Sequence, residues 1–145
     1  MNDGRTQEAI EGGVLAFRRE RIEEGIHLAR IAIRPGETST PHYHPSTQDI
    51  FYVMSGVLTV IVEVNPDDAL PPYRSLCASL PEVVSAKDGK QIHRIRLQPG
   101  EILVVNPFAV HCTSNLGETP CSFVCIEGIG DYKFVQAPSS VTAAP

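Results

Sequence analysis

The stretch Gly36-ETSTP-His42-Tyr43-His44-PSTQ-Asp49-IFYVMS-Gly56 decides how this chain is read. On a β-strand, residues two apart project from the same face. His42 and His44 therefore present two imidazoles side by side, the arrangement that two ligands of one metal ion need. Residues 50–64, which run on from this stretch, are β-branched and aromatic and are broken only at Met54-Ser55-Gly56. That composition predicts a pair of strands joined at the glycine.

The same rhythm extends outward. Residues 26–34 alternate so that His27, Ala29, Ile31 and Ile33 share one face, and further strands are predicted over 14–20, 91–97, 102–106, 110–114, 121–127 and 131–135. Turn signals separate them: Pro35-Gly36, Asp88-Gly89, Pro99-Gly100, Leu116-Gly117 and Gly128-Ile129-Gly130. Many short strands at roughly ten-residue spacing make an all-β sandwich or barrel. Residues 65–81 carry four prolines. They are too broken for a central strand and read as a surface excursion, with a short helical turn near 75–80.

Composition bounds the function. The 145 residues fit a single domain over 1–136, with 137–145 as a frayed tail. No apolar run approaches the roughly 18 residues of a bilayer span, and the first 25 residues lack a signal peptide's apolar core, so a soluble, cytoplasmic protein without a membrane partner is expected. Twelve basic against seventeen acidic residues leave a net charge of −5, which repels a phosphate backbone and argues against nucleic acid. The four cysteines form no CxxC pair, and Cys121 and Cys125 share a face with Phe123, which makes them small buried hydrophobes. The terminal segments 14–17 and 132–135 would be exposed apolar edges, so a homodimer is expected.

The spacing around the two histidines resembles the first motif of the cupin family: glycine, five residues, HxH, three or four residues, an acid, six residues, glycine. After the second proline-glycine turn, Gly100-EILVVN-Pro107-FAV-His111-CTS-Asn115 is similar to the second cupin motif. The departures are Asn106 and Phe108, which stand where that motif has proline and glycine. The resemblance covers about residues 26–127. It implies a double-stranded β-helix, the cupin jelly roll, with one divalent metal held by His42, His44 and His111. Asp49 falls at the usual glutamate position, and Gln48 takes the inward place if the register slips by one. His27 is a further candidate for the fourth ligand: a hairpin through Pro35-Gly36 would set it opposite His42. His93 shares a face with Ile95 and Leu97 but lies two strands from His111.

Imidazole ligands accept zinc, iron, manganese, nickel or copper; zinc is favoured here as a Lewis acid, whereas iron or manganese would bind dioxygen. The candidate interior, Ile31, Ile33, Phe51, Val53, Leu58, Ile95, Leu103 and Val105, with Tyr43, Tyr52 and Phe108 as rim aromatics, suits an apolar small-molecule substrate. Arg30, Arg34 and Arg94 fall on the opposite face. Among small cupins the chain looks most like the cyclases of aromatic polyketide biosynthesis. That likeness implies an aldol ring closure with Gln48 or Asp49 moving the proton. A metal-dependent dioxygenase or isomerase is the alternative, and a non-enzymatic binding cupin the third reading.

Overall fold

The computed structural model of the protein describes residues 8–11, 14–23, 26–128 and 133–137, and in these ranges it is built almost wholly of strands. β1 (Glu8–Glu11), β2 (Val14–Glu23) and β3 (Ile26–Ile33) lead into the short β4 (His42–Tyr43), then β5 (Gln48–Ser55) and β6 (Leu58–Val64). β7 (Tyr73–Leu76) and β8 (Glu82–Ser85) follow, then β9 (Gln91–Leu97), β10 (Ile102–Val105), β11 (His111–Ser114), β12 (Cys121–Gly128) and β13 (Val135–Gln136). They form a seven-stranded sheet in the order β1-β2-β3-β12-β5-β10-β7 and a six-stranded sheet in the order β13-β4-β11-β6-β9-β8, with every pairing antiparallel. This is the jelly roll that the motif spacing implies.

Alternation fills the space between the sheets. Ile33, Phe51, Val53, Leu58, Val60, Ile95, Leu97, Leu103, Val105 and Phe123 are all at most 2% exposed and form one apolar cluster. Seven of the eight expected interior residues are thus packed core; Ile31 is half-buried against it. They pack against one another as the apolar core of the barrel. Tyr52 faces outward, 43% exposed, because it alternates with Phe51 and Val53.

Gly56 carries the chain from one sheet to the other between β5 and β6. Its φ is +74°, and an added Cβ would lie 2.5 Å from the Pro120 carbonyl oxygen, so both conformation and crowding demand glycine. Asn115, the last residue of the second motif, is fully buried. Its side-chain amide donates to the Ile33 and Thr119 carbonyls at 3.0 and 2.8 Å and its Oδ1 accepts the Gly117 amide at 3.0 Å, which ties three segments together.

The excursion at 65–81 departs from expectation in one respect. No helical turn forms at 75–80; β7 occupies the start of that region as the edge strand of its sheet, where proline-rich flanks are tolerated. β8 is the other sheet's edge, and a 3₁₀ turn at Lys87–Gly89 connects it to β9. Of the strand expected over 131–135, residues 131 and 132 lie outside the described residues, as does the tail from 138 onward.

Candidate metal centre

The strand registers stack a polar level at one end of the barrel. Across the seven-stranded sheet, Tyr73, Val105, Asp49, Glu127 and His27 are successive partners. Across the facing sheet the corresponding row is Val83, His93, Val62, His111, His42 and Gln136. With His44 two residues beyond His42, all five histidines of the chain fall on or beside this level. Side-chain hydrogen bonds bridge the sheets here, among them Tyr73 OH to His93 Nδ1 at 2.7 Å and Asp49 Oδ2 to His111 Nε2 at 2.9 Å.

His42, His44, Asp49 and His111 bring one ligating atom each within 4.8 Å of one another, and all four are buried. The same device orients each ring. His42 Nδ1 lies 2.8 Å from the Thr40 carbonyl oxygen, His111 Nδ1 lies 2.8 Å from that of Ala109, and His44 Nδ1 lies 2.6 Å from that of Lys133. A carbonyl only accepts, so each Nδ1 carries the hydrogen and each Nε2 turns its lone pair inward. Phe134 stacks on His42 with ring centroids 4.1 Å apart.

Asp49 Oδ2 sits 2.9 Å from both His44 Nε2 and His111 Nε2. A carboxylate is an acceptor, and so is a neutral imidazole's Nε2. Lone pairs converging at this distance need a cation among them, either protons or a metal ion. Asp49 Oδ1, also buried, has no hydrogen-bond partner among the described residues. These donors fit a divalent ion: imidazole nitrogens and one carboxylate suit manganese, iron, nickel or zinc alike.

Electrostatics point the same way. Burial, reinforced by the neighbouring His111, pushes the His42 pKa far below the ordinary histidine value, so this ring is held neutral. At His44 burial also lowers the pKa, but the hydrogen bond and charge of Asp49 outweigh it and the net shift is upward. Burial alone would raise Asp49; hydrogen bonds from His111 and His44 overcome it and hold the carboxyl below the usual carboxylate range. An ionised carboxylate surrounded by imidazoles is ready for a cation.

Of the two candidates for a fourth ligand, the structure brings Asp49 to the histidines and not His27. β3 pairs with β2 and β12, which sets His27 opposite Glu127, and the chain after Pro35-Gly36 crosses to the other sheet, so no hairpin places it against His42. Gln48 lies on the opposite face of β5 from Asp49, away from the ring cluster, which corrects its expected proton-moving role. His93 stays out of the group, its Nδ1 accepting from Tyr73 and its Nε2 facing Gln91 Oε1 at 3.2 Å. The cysteines are present as thiols; burial raises those of Cys112 and Cys121 to about 11, which makes them inert.

Two features had no local signal. Glu127, 2% exposed, and Cys125 stand within 4.8 Å of Asp49, a proximity visible only in the parity of residues 121–127 once β12 is set beside β5. The turn at Asn106–Ala109 also serves the centre: Phe108 N–H donates to the His44 carbonyl at 2.9 Å, while the Ala109 carbonyl holds His111. Phe108 keeps the left-handed backbone of the glycine it replaces, with φ of +66°, and stacks on Tyr43 at 6.0 Å.

The profile of the family described as Cupin matches residues 21–144. A germin-like protein, subfamily 1 member 7 of Arabidopsis thaliana, is 28% identical over 120 residues, which is 83% of this chain and 41% of that protein. Among solved structures, oxalate decarboxylase of Bacillus subtilis, a protein with Mn(II) centres, superposes with a TM-score of 0.63 at 22% identity over 90% of this chain and 30% of its own. An oxalate oxidase bound to glycolate gives a TM-score of 0.55 at 23% identity, over 77% of this chain and 46% of its own. The chain thus spans less than half the length of each. The expected polyketide cyclases find no support in these proteins, and neither does the preference for zinc.

Proposed function

The chain belongs to the cupin family, and from that premise we propose that it is a metal-dependent enzyme that transforms a small carboxylate-bearing molecule, with His42, His44, Asp49 and His111 holding the ion. The single observation that carries this reading is the convergence of two oriented Nε2 atoms, of His44 and His111, on a buried Asp49 carboxylate oxygen at 2.9 Å, with a ligating nitrogen of His42 within 4.8 Å of all three. The oxalate-acting relatives support the substrate class, and the Mn(II) centres of one of them favour manganese, with iron as its redox-capable equivalent. The reading follows the alternative drawn from sequence, a metal-dependent dioxygenase or isomerase, in preference to the cyclase.

When bound, manganese or iron would supply Lewis acidity and a redox couple. The chain's residues do the rest. Three neutral imidazoles and one carboxylate leave a divalent site with a net positive charge, which attracts an anionic substrate. The backbone carbonyls of Thr40, Ala109 and Lys133 lock the rings so that no reorientation is needed on binding. The packed core beneath keeps water out from that side.

The test is turnover of oxalate and glycolate by manganese-loaded protein, with and without dioxygen. Substrate loss that vanishes in His111→Ala is expected, and dioxygen dependence separates oxidation from decarboxylation. Full metal loading with no turnover of these or other small carboxylates would overturn the reading. We also propose that two copies pair through their terminal strands; a monomer by light scattering at micromolar concentration would contradict that.

A further inference from the structure

We infer that the outer face of the six-stranded sheet carries a second binding site, for a small molecule bearing a carboxylate or phosphate. A groove of about 310 Å³ opens there, the size of a small-molecule pocket. Arg94 and Arg96 line it, two residues apart on β9 and therefore side by side on one face, about 6.5 to 7 Å apart along the strand. Two arginine side chains rooted that far apart on one face are long enough to converge on one oxyanion. Thr59, buried and directly opposite Arg96, adds a hydroxyl to the groove. Ser114 is in turn opposite Thr59, and its buried Oγ has no hydrogen-bond partner among the described residues.

The charge here runs against that of the whole chain, which is −5. Glu82 is the acidic group of the groove, and it stands 3.7 Å from Arg94 Nη1 with its side chain 64% exposed. That is a long, solvated ion pair. Val57 and Leu116 form the apolar part of the lining, which gives a hydrocarbon portion of the ligand somewhere to rest. The site is independent of the metal centre because alternation points Thr59 outward, while its neighbours Leu58 and Val60, both fully buried, point into the core.

Zinc-loaded protein, which is diamagnetic, can be titrated with inorganic phosphate and separately with benzoate while backbone amide shifts are followed by NMR. Saturable shifts centred on Thr59, Arg94 and Arg96 are expected, and the Arg94→Gln/Arg96→Gln double variant should weaken binding about tenfold or more with metal content unchanged. Arg96→Gln alone, at an exposed position, gives the same direction of effect if the double variant folds poorly. Saturation by phosphate only would assign the site to phosphate-bearing ligands and saturation by benzoate only to carboxylates; either upholds the site. Shifts that stay linear with concentration, that persist in Arg96→Gln at wild-type affinity, or that centre on His44 and His111 would overturn it.

Discussion

The two ends of this barrel are made from the same strands with the same alternation, yet one end is dry and the other is polar. Toward the apolar end, β5, β12 and β10 point Val53, Phe123 and Leu103 inward; one or two steps on along the same faces they reach Asp49, Glu127 and Val105. Alternation decides which face a residue takes, and position along the strand decides the chemistry it meets there. The apolar end is held by area removed from water. The polar end holds buried groups that would each be costly alone and become favourable only around a cation.

Removing a ligand should separate the two ends most sharply. His111→Ala is expected to lower metal affinity by at least about a hundredfold while the apolar end keeps the protein folded, as metal analysis and circular dichroism on one sample would show. Phe123→Ala should do the reverse. Loss of a fully buried aromatic costs about 3–5 kcal/mol, read as a fall in Tm, with metal affinity of the remaining folded protein little changed.

Protons should compete with metal at the polar end. Without metal, the His44–Asp49 pair stabilises the fold through two opposite shifts. The raised His44 pKa contributes stability that is fully present below the ordinary value of 6.5 and is lost as pH rises through the folded value. The lowered Asp49 pKa contributes stability present above 3.8 and lost as pH falls through its depressed value. For these two groups, metal-free protein should gain most between about pH 4 and 6.5. Metal binding displaces the His44 proton, so stabilisation by metal should instead grow as pH rises through neutrality. Melting curves against pH, with and without manganese, check both slopes. A smaller effect is expected at the rim: Phe108→Gly relieves a left-handed backbone and should raise stability by about 0.5–1 kcal/mol in chemical denaturation, despite the lost contact with Tyr43.

What could be read from sequence follows the same division. His42, His44, Asp49 and His111 were legible because strand parity and motif spacing are local properties. The core was legible for the same reason. The place of His27 is not legible locally, because a proline-glycine turn reads as a hairpin, whereas the chain there passes between sheets and Thr38 bridges to Ser114. The Tyr73–His93 contact and the approach of Glu127 to Asp49 depend on which strands become neighbours, which no window of sequence contains. β7 and β8 were hidden by flanking prolines that edge strands tolerate and central strands do not.

One ion held by three imidazoles and one carboxylate is tested most directly by the metal content of manganese-loaded protein together with its electron–nuclear couplings. About one ion per chain with nitrogen couplings from three histidines is expected, and loss of affinity in Asp49→Asn but not in His27→Ala. Couplings from fewer than three imidazoles, or equal loss of affinity in the two variants, would contradict it.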